Sequence, residues 1–294
     1  MQFLGKKKKW WFIISGMIIL PGILALIFWG LNYGIDFKGG TILEIKIKDK
    51  EYKIEEIQET LKPLGLPGLT LIPTADKTIL IKTAPVEKEV TDKEKAALKE
   101  KYGEIEEIRF ESVGPTVGKD LTRKAIQAVI LACVGIVLYI AFAFRNVPKK
   151  YSSFKFGLSA IFALIHDILV VVGVFSLVGH FSGYEVDAYF ITAILTVLGF
   201  SVHDTIVVFD RIRENLRRFP EASFEEVANA SINQTLGRSI STSFTVILTL
   251  LALFLIGGDS IKPFVFTLLV GITTGTYSSV FTATPILVLW QKQK

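Results

Sequence analysis

Apolar residues along this chain gather into six long runs, separated by segments of a different pattern. The first runs from Trp10 to Trp29, and five more cover roughly residues 124–144, 156–179, 188–209, 236–256 and 263–290. Each holds about 20 residues or more, enough for a helix to cross a hydrocarbon layer, so the pattern predicts six transmembrane helices. Between the first and second runs the pattern changes. Thr41 to Lys48 alternates apolar and polar with period two, as a half-buried strand does, while Tyr52 to Leu64 sets Ile54, Ile57 and Leu61 on one helical face. Gly68 to Pro73 and Thr78 to Thr83 read as two strands around an Ala75-Asp76 turn. Thr91 precedes a helix-compatible run to Tyr102, and Glu104 to Val113 alternates again. The predicted order is β-α-β-β-α-β, that of an α+β ferredoxin-like domain, a fold that carries no function by itself. The chain therefore divides into an N-terminus with helix 1 (residues 1–30), a domain outside the bilayer (31–122) and a helical part with five further spans (123–294).

Composition sharpens this division. Half of the 294 residues are apolar and the mean hydropathy is +0.47, values of a polytopic membrane protein. Residues 31–122 hold 15 Lys and Arg against 18 Asp and Glu, which leaves 18 basic and 10 acidic residues for the rest. The basic excess thus belongs to the membrane part. It follows the positive-inside rule and does not form the clustered basic face that nucleic-acid binding needs. Arg145, Lys149, Lys150 and Lys155 lie between spans two and three, and Arg211, Arg213, Arg217 and Arg218 between spans four and five. The opposite loops, 180–187 and 257–262, hold a single Lys or Arg between them, Lys262. Both termini are then expected in the cytoplasm and residues 31–122 outside it. Lys6 to Lys9 hold the start of the first run inside; that run is too long for a signal peptide and reads as a retained anchor. The single cysteine, Cys133, excludes an internal disulfide and takes a packing role. No phosphate-cradling loop, nucleophile elbow or zinc motif occurs, so no cofactor or metal and no enzymatic chemistry is expected.

Charges inside the apolar runs are the candidate chemistry. An ionisable residue within a membrane costs about 2.5–3.5 kcal/mol on insertion scales, so it calls for a partner or a task. Asp204 lies about five residues inside the end of the fourth run and Arg238 a similar distance into the fifth, both roughly 5–8 Å deep at ~1.5 Å per residue. The two could pair across an antiparallel hairpin; equally, Arg238 could snorkel to the headgroups while Asp204 caps a polar boundary. His166 and Asp167 lie near the middle of the third run, where snorkelling cannot help, and His203-Asp204 repeats the same dipeptide in the fourth. A midplane carboxylate suits proton movement; its structural alternative is an interhelical hydrogen-bond network worth ~0.6 kcal/mol per bond. The fifth and sixth runs are rich in Ser, Thr and Gly, with Gly271-x-x-x-Gly275 permitting close helix approach and the hydroxyls able to solvate a polar seam. Residues 211–230 read as a charged loop with helical parts, in which Ser223 and Glu226 have capping-box spacing; it serves as a connector or meets a partner.

Five ordered motifs go beyond pattern. They are GIDFKGGT (34–41), SVGPxxG (112–118), HD (166–167), SVHDTIVVFDRIREN (201–215) and NQTLxRSIxTS (233–243). In a six-span chain with one external domain, they resemble the SecD/SecF family of protein-export membrane subunits, relatives of the resistance-nodulation-division transporters. The resemblance implies a SecD-type half as partner, a pseudo-symmetric twelve-span bundle, and use of protons to help move exported polypeptide beyond the Sec channel. It also implies that Asp204 and Arg238 belong to an intramembrane proton-coupling site together with a carboxylate of the partner half, with Asp167, His166 and His203 beside them. At position 203 many relatives carry Asn. Gly34, Asp36, Gly39 and Gly40, with Gly114, Pro115 and Gly118, would link or hinge the external domain. Membrane lipid surrounds the bundle. Two other readings are a half-size exporter of lipids or small hydrophobic compounds and a non-transporting scaffold.

Overall fold

The structure is a computed structural model that describes all residues except 1–2, 5–7, 49–51, 74–77, 146, 149 and 292–294. The expected Ala75-Asp76 turn, and Lys6, Lys7 and Lys149, lie outside the described residues. The chain folds as two compact units, Met1–Asn32 with Gln127–Lys294 and Tyr33–Ile126.

In the second unit a four-residue turn of helix, α2 (Ile35–Lys38), leads into β1 (Gly40–Ile47). There follow α3 (Ile54–Leu61), β2 (Thr70–Pro73), β3 (Thr78–Thr83), α4 (Lys88–Tyr102) and β4 (Ile105–Val113). The β-α-β-β-α-β order is the one the alternation predicts, and the sheet runs β2-β3-β1-β4 with every pairing antiparallel. The inward set of each strand makes the core: Leu43, Ile45 and Ile47 of β1 and Ile79 and Ile81 of β3 pack with Ile57 and Leu61 of α3 and Leu98 and Tyr102 of α4. A register shift at Glu44/Ile45 leaves Ile108 of β4 without an opposite residue, a β-bulge. The helix expected after Thr91 starts one turn earlier, at Lys88. Thr91 is no cap: it lies on the buried face of α4 with Glu94 and Leu98, and packing that face draws the first turn into the helix.

Among the described residues, six helices are long and apolar enough to cross a membrane. They are α1 (Lys8–Phe28), α5 (Pro115–Ala143), α6 (Ser153–Ser182), α7 (Ala188–Arg218), α8 (Phe224–Ile256), and a last span whose helices α9 (Lys262–Ser278) and α10 (Thr284–Gln291) are joined by a π-helical turn, Ser279–Ala283. Local chemistry sets their ends. Pro115 opens α5, where its missing N–H costs nothing. Gly183, at φ +71°, closes α6 in the left-handed conformation that glycine permits. The Asp187 carboxylate accepts from Phe190 N at 2.7 Å to cap α7, and Ser223 and Glu226 form the predicted capping box of α8.

The stretch expected as a loop over 211–230 is corrected: α7 continues to Arg218 and α8 begins at Phe224, so only residues 219–223 connect them. The charges conceal an inward stripe, since Ile212, Asn215, Leu216, Val227, Ser231 and Ile232 are all buried. The hairpin is tied by Asn215 Nδ2, which donates to Ser231 Oγ and to Gln234 Oε1, both at 2.8 Å. Arg211 Nε donates to the same Gln234 oxygen at 2.6 Å. Half of the apolar stretch in each of α6, α7 and the last span is buried, against 17% in α1 and α8 and 6% in α5, so those three spans form the centre of this unit.

Candidate functional site

Close helix approach makes the site possible. A Cβ on Gly271 would collide with Val197 Cγ2, and one on Gly275 would lie 2.9 Å from Ser201 Cβ, so these two glycines seat α9 directly on α7. Gly22 and Gly173 do the same for α1 and α6, with 2.8 Å between a Cβ built on Gly22 and the Gly173 Cα. Side chains that sequence would send into lipid are thereby brought together.

Asp167, on α6, is fully buried. Its Oδ2 accepts from Ser201 Oγ of α7 at 2.5 Å and from Ser278 Oγ of α9 at 2.7 Å. His166 Nδ1 lies 3.0 Å from Oδ1, and the ring is 5% exposed. Asp204, on α7, is 2% exposed and accepts from Ser243 Oγ of α8 at 3.5 Å. Ser243 Oγ also meets Thr276 Oγ1 of α9 at 2.6 Å, and the hydroxyls of Thr276 and Ser239 lie alongside the Asp204 carboxylate. A third cross-link, Thr205 Oγ1 to Ser279 Oγ at 2.9 Å, joins α7 to the start of the π-helical turn. Across that turn Thr284 Oγ1 donates to the Ser279 carbonyl at 3.0 Å. Two buried carboxylates are thus set on one seam of hydroxyls where α6, α7, α8 and α9 converge.

Not all of the predicted residues enter this seam. Arg238 and His203 are exposed, each on the outward side of the residue that follows it, Ser239 and Asp204, which face in. Among the described residues no ion pair joins Asp204 to Arg238. Both helices carry a row of outward polar or small residues at this depth, beside exposed Ile240, Phe244 and Leu248 on α8. Thr192, Thr196, Gly199 and His203 are exposed along α7, and Arg238, Thr242, Thr245 and Thr249 along α8. Ser201 and Thr205 stand in the 201–215 motif without a role assigned to their hydroxyls, and Thr276 was not singled out by sequence. Thr276 Oγ1 bonds its own backbone at Ile272 O, the habit of threonine in any membrane helix, and only the fold reveals its second partner.

The linker residues take another form. Gly39, at φ +77°, adopts a conformation open to glycine, and a Cβ there would meet Val113 O at 3.2 Å. A Cβ on Gly118 would lie 3.0 Å from Phe37 O and 3.2 Å from Gly39 N. These glycines let α2 lie against the β4–α5 junction, a close-packed corner. Gly114 has open space around its Cβ position, Pro115 begins α5, Gly34 precedes α2 in an extended conformation, and Asp36 lies in the first turn of α2.

Comparison with known proteins agrees with this architecture. The family model described as the C-terminal part of the protein export membrane proteins SecD/SecF matches residues 93–293, and the SecD/SecF GG motif matches residues 25–51. The protein translocase subunit SecF of Thermobaculum terrenum is 46% identical over 96% of this chain and 92% of its own length. The protein translocase subunit SecDF of Bacillus subtilis is 35% identical over 97% of this chain, which spans 37% of that protein. The crystal structure of a Thermus SecDF, described as a translocon-associated membrane protein, superposes with a TM-score of 0.83 at 32% identity, over 98% of this chain and 39% of that one. A fold of six candidate spans with one small sheet domain, carrying these motifs in order, belongs to the SecD/SecF family of protein export membrane proteins.

Proposed function

We propose that this chain is an accessory subunit of the protein translocase which, with a SecD-type half, uses the proton gradient of the bacterial inner membrane to promote late steps of polypeptide export. The observation that carries the reading is Asp204, a buried carboxylate inside an apolar helix, set on hydroxyls of α8 and α9 instead of a fixed cation. A carboxylate neutralised by a permanent ion pair has no use for a proton. One solvated by hydroxyls can take a proton up and release it.

The outward polar faces of α7 and α8 support the second half of the proposal. His203, Arg238, Thr242 and Thr245 would be costly against lipid, so a further set of helices covers them, and Arg238 awaits a carboxylate from that side. Relatives named SecDF, of which this chain spans less than two fifths, hold both halves in one chain. The apolar exposed faces of α1 and α5, with Met17, Leu24, Ile130 and Leu138, suit membrane lipid. Positive-inside loops set both termini in the cytoplasm and the sheet domain on the outer side, where it meets polypeptide emerging from the Sec channel. One proton crossing 100 mV supplies about 2.3 kcal/mol, and driving a two-state change from 1:99 to 99:1 takes about 5.5 kcal/mol, so a few protons per cycle suffice.

The test is Asp204→Asn in the complex reconstituted with its SecD-type partner and the Sec channel. The expected result is an assembled complex whose export no longer responds to the proton gradient; normal gradient-dependent export would overturn the assignment.

A further inference from the structure

Resting on the proton-coupled reading above, one pair of residues on the seam carries a more specific role. Asp167 accepts three hydrogen bonds: Oδ2 takes those of Ser201 and Ser278, and Oδ1 faces His166 Nδ1 at 3.0 Å. With Asp167 as an anion the carboxylate is acceptor only, and Nδ1 then carries the hydrogen of that contact. The neutral ring is then the Nδ1–H tautomer, with a lone pair on Nε2. That atom is buried and has no hydrogen-bond partner among the described residues. The imidazole is thus fixed at one nitrogen and open at the other.

We propose that His166 and Asp167 form a second proton-binding site in this bundle, in which the proton binds Nε2 of His166 while Asp167 remains an anion. Binding converts a neutral imidazole beside a carboxylate into an imidazolium–carboxylate pair, taking the site from a net charge of minus one to zero. No bond other than Nε2–H forms, and the same bond breaks on release. In a low-dielectric interior the neutral pair costs less than the lone anion, whereas protonating Asp167 itself would forfeit acceptor capacity that its three donors use. The proton arrives from hydronium and leaves to water, which must reach a nitrogen that is buried in this conformation.

The surroundings isolate the pair while linking it to Asp204. α1 presents no ionisable side chain between Trp10 and Phe28, nor do the π-helical turn and α10. From α9 the facing titratable group is Tyr277, whose ring centroid is 6.2 Å from that of His166. From α7 come Asp204 and, on the outward side, His203. Ser201, bonded to Asp167, lies one helical turn before Asp204, and Ser278, also bonded to Asp167, lies two residues after Thr276, which stands beside Asp204. Ser278 directly precedes the π-helical turn, a departure from α geometry that is frequent at functional sites.

The chain holds three histidines, which makes the site accessible to measurement. Solid-state nitrogen NMR of the complete complex in lipid vesicles, with ring-labelled histidine, identifies the His166 signals as those absent in His166→Gln. The expected result is an Nδ1–H tautomer with a bare Nε2 at high pH that becomes doubly protonated on acidification, in Asp204→Asn as in the unaltered protein. In Asp167→Leu, which removes the acceptor, the fixed tautomer is lost. A His166 ring that keeps one protonation state across the pH range in which the complex stays assembled, or that carries its hydrogen on Nε2 when neutral, overturns the proposal. If His166 titrates while Asp204→Asn exports normally, the translocase role of Asp204 fails and this site stands; the reverse pattern separates the two in the other direction.

Discussion

Glu94 lies on the inner face of α4, 1% exposed, with one carboxyl oxygen and the nearby hydroxyls of Thr91 and Tyr102 lacking partners among the described residues. Burial pushes its carboxyl up to about 7 from the ordinary 4.5, with Lys95 opposing. The folded domain therefore holds this proton more tightly than the unfolded chain. The stability gained is complete below about pH 4.5, declines as pH rises to about 7, and is absent above. Glu94→Gln should remove that decline and stabilise the sheet domain at pH 8 by about 1–3 kcal/mol, because the neutral amide avoids burying a charge. Hydrogen exchange of β1 amides in the full chain measures it, and an unchanged pH slope would refute it. At this scale the sequence disclosed Asp167 and Asp204 because a charge in an apolar run has no routine explanation. Thr205 and Thr276 stayed hidden because a helical threonine usually bonds its own backbone, as both do here.

Among the elements, the strands and spans were legible wherever one period dominates. The strand alternation found β1 to β4 within two residues at each end, and the apolar runs found every span. What escaped was helix built from charged residues, since α7 and α8 extend past the apolar limits on a narrow buried stripe. The glycine pair Gly22 and Gly173 also escaped: neither has a second glycine four residues away to mark it, and only their meeting gives them a purpose. The π-helical turn has no sequence signature either. It packs under the N-terminal segment, with Trp11 and Phe281 ring centroids 4.1 Å apart and Ser15 Oγ 3.2 Å from Thr282 Oγ1. Gly271 was read correctly as a site of close approach. Gly271→Leu should therefore separate α9 from α7 and lower thermal stability by about 1–3 kcal/mol, while Gly237→Ala, which meets open space, should not. A melting temperature in detergent unaffected by Gly271→Leu would show that the seam does not depend on this contact.

For the molecule as a whole, the proposed second half of the bundle would account for polar residues on both sides of α8: Ser239 and Ser243 face its own chain, and Arg238, Thr242 and Thr245 face outward. The sequence marked Arg238 as costly but could not say which way it points, because one residue along a helix turns the side chain by about 100°. With Cys133 replaced by Ala, a cysteine at Thr245 should cross-link to the SecD-type half, and one at Met17, on the apolar exposed face of α1, should not; the opposite pattern would relocate the interface. The central claim is that Asp204 gains and loses a proton within the bilayer. Infrared difference spectroscopy of the reconstituted complex tests it most directly. On acidification the account predicts a carboxylic acid C=O band that vanishes in Asp204→Asn; an acid-minus-base spectrum identical in the two proteins would contradict it.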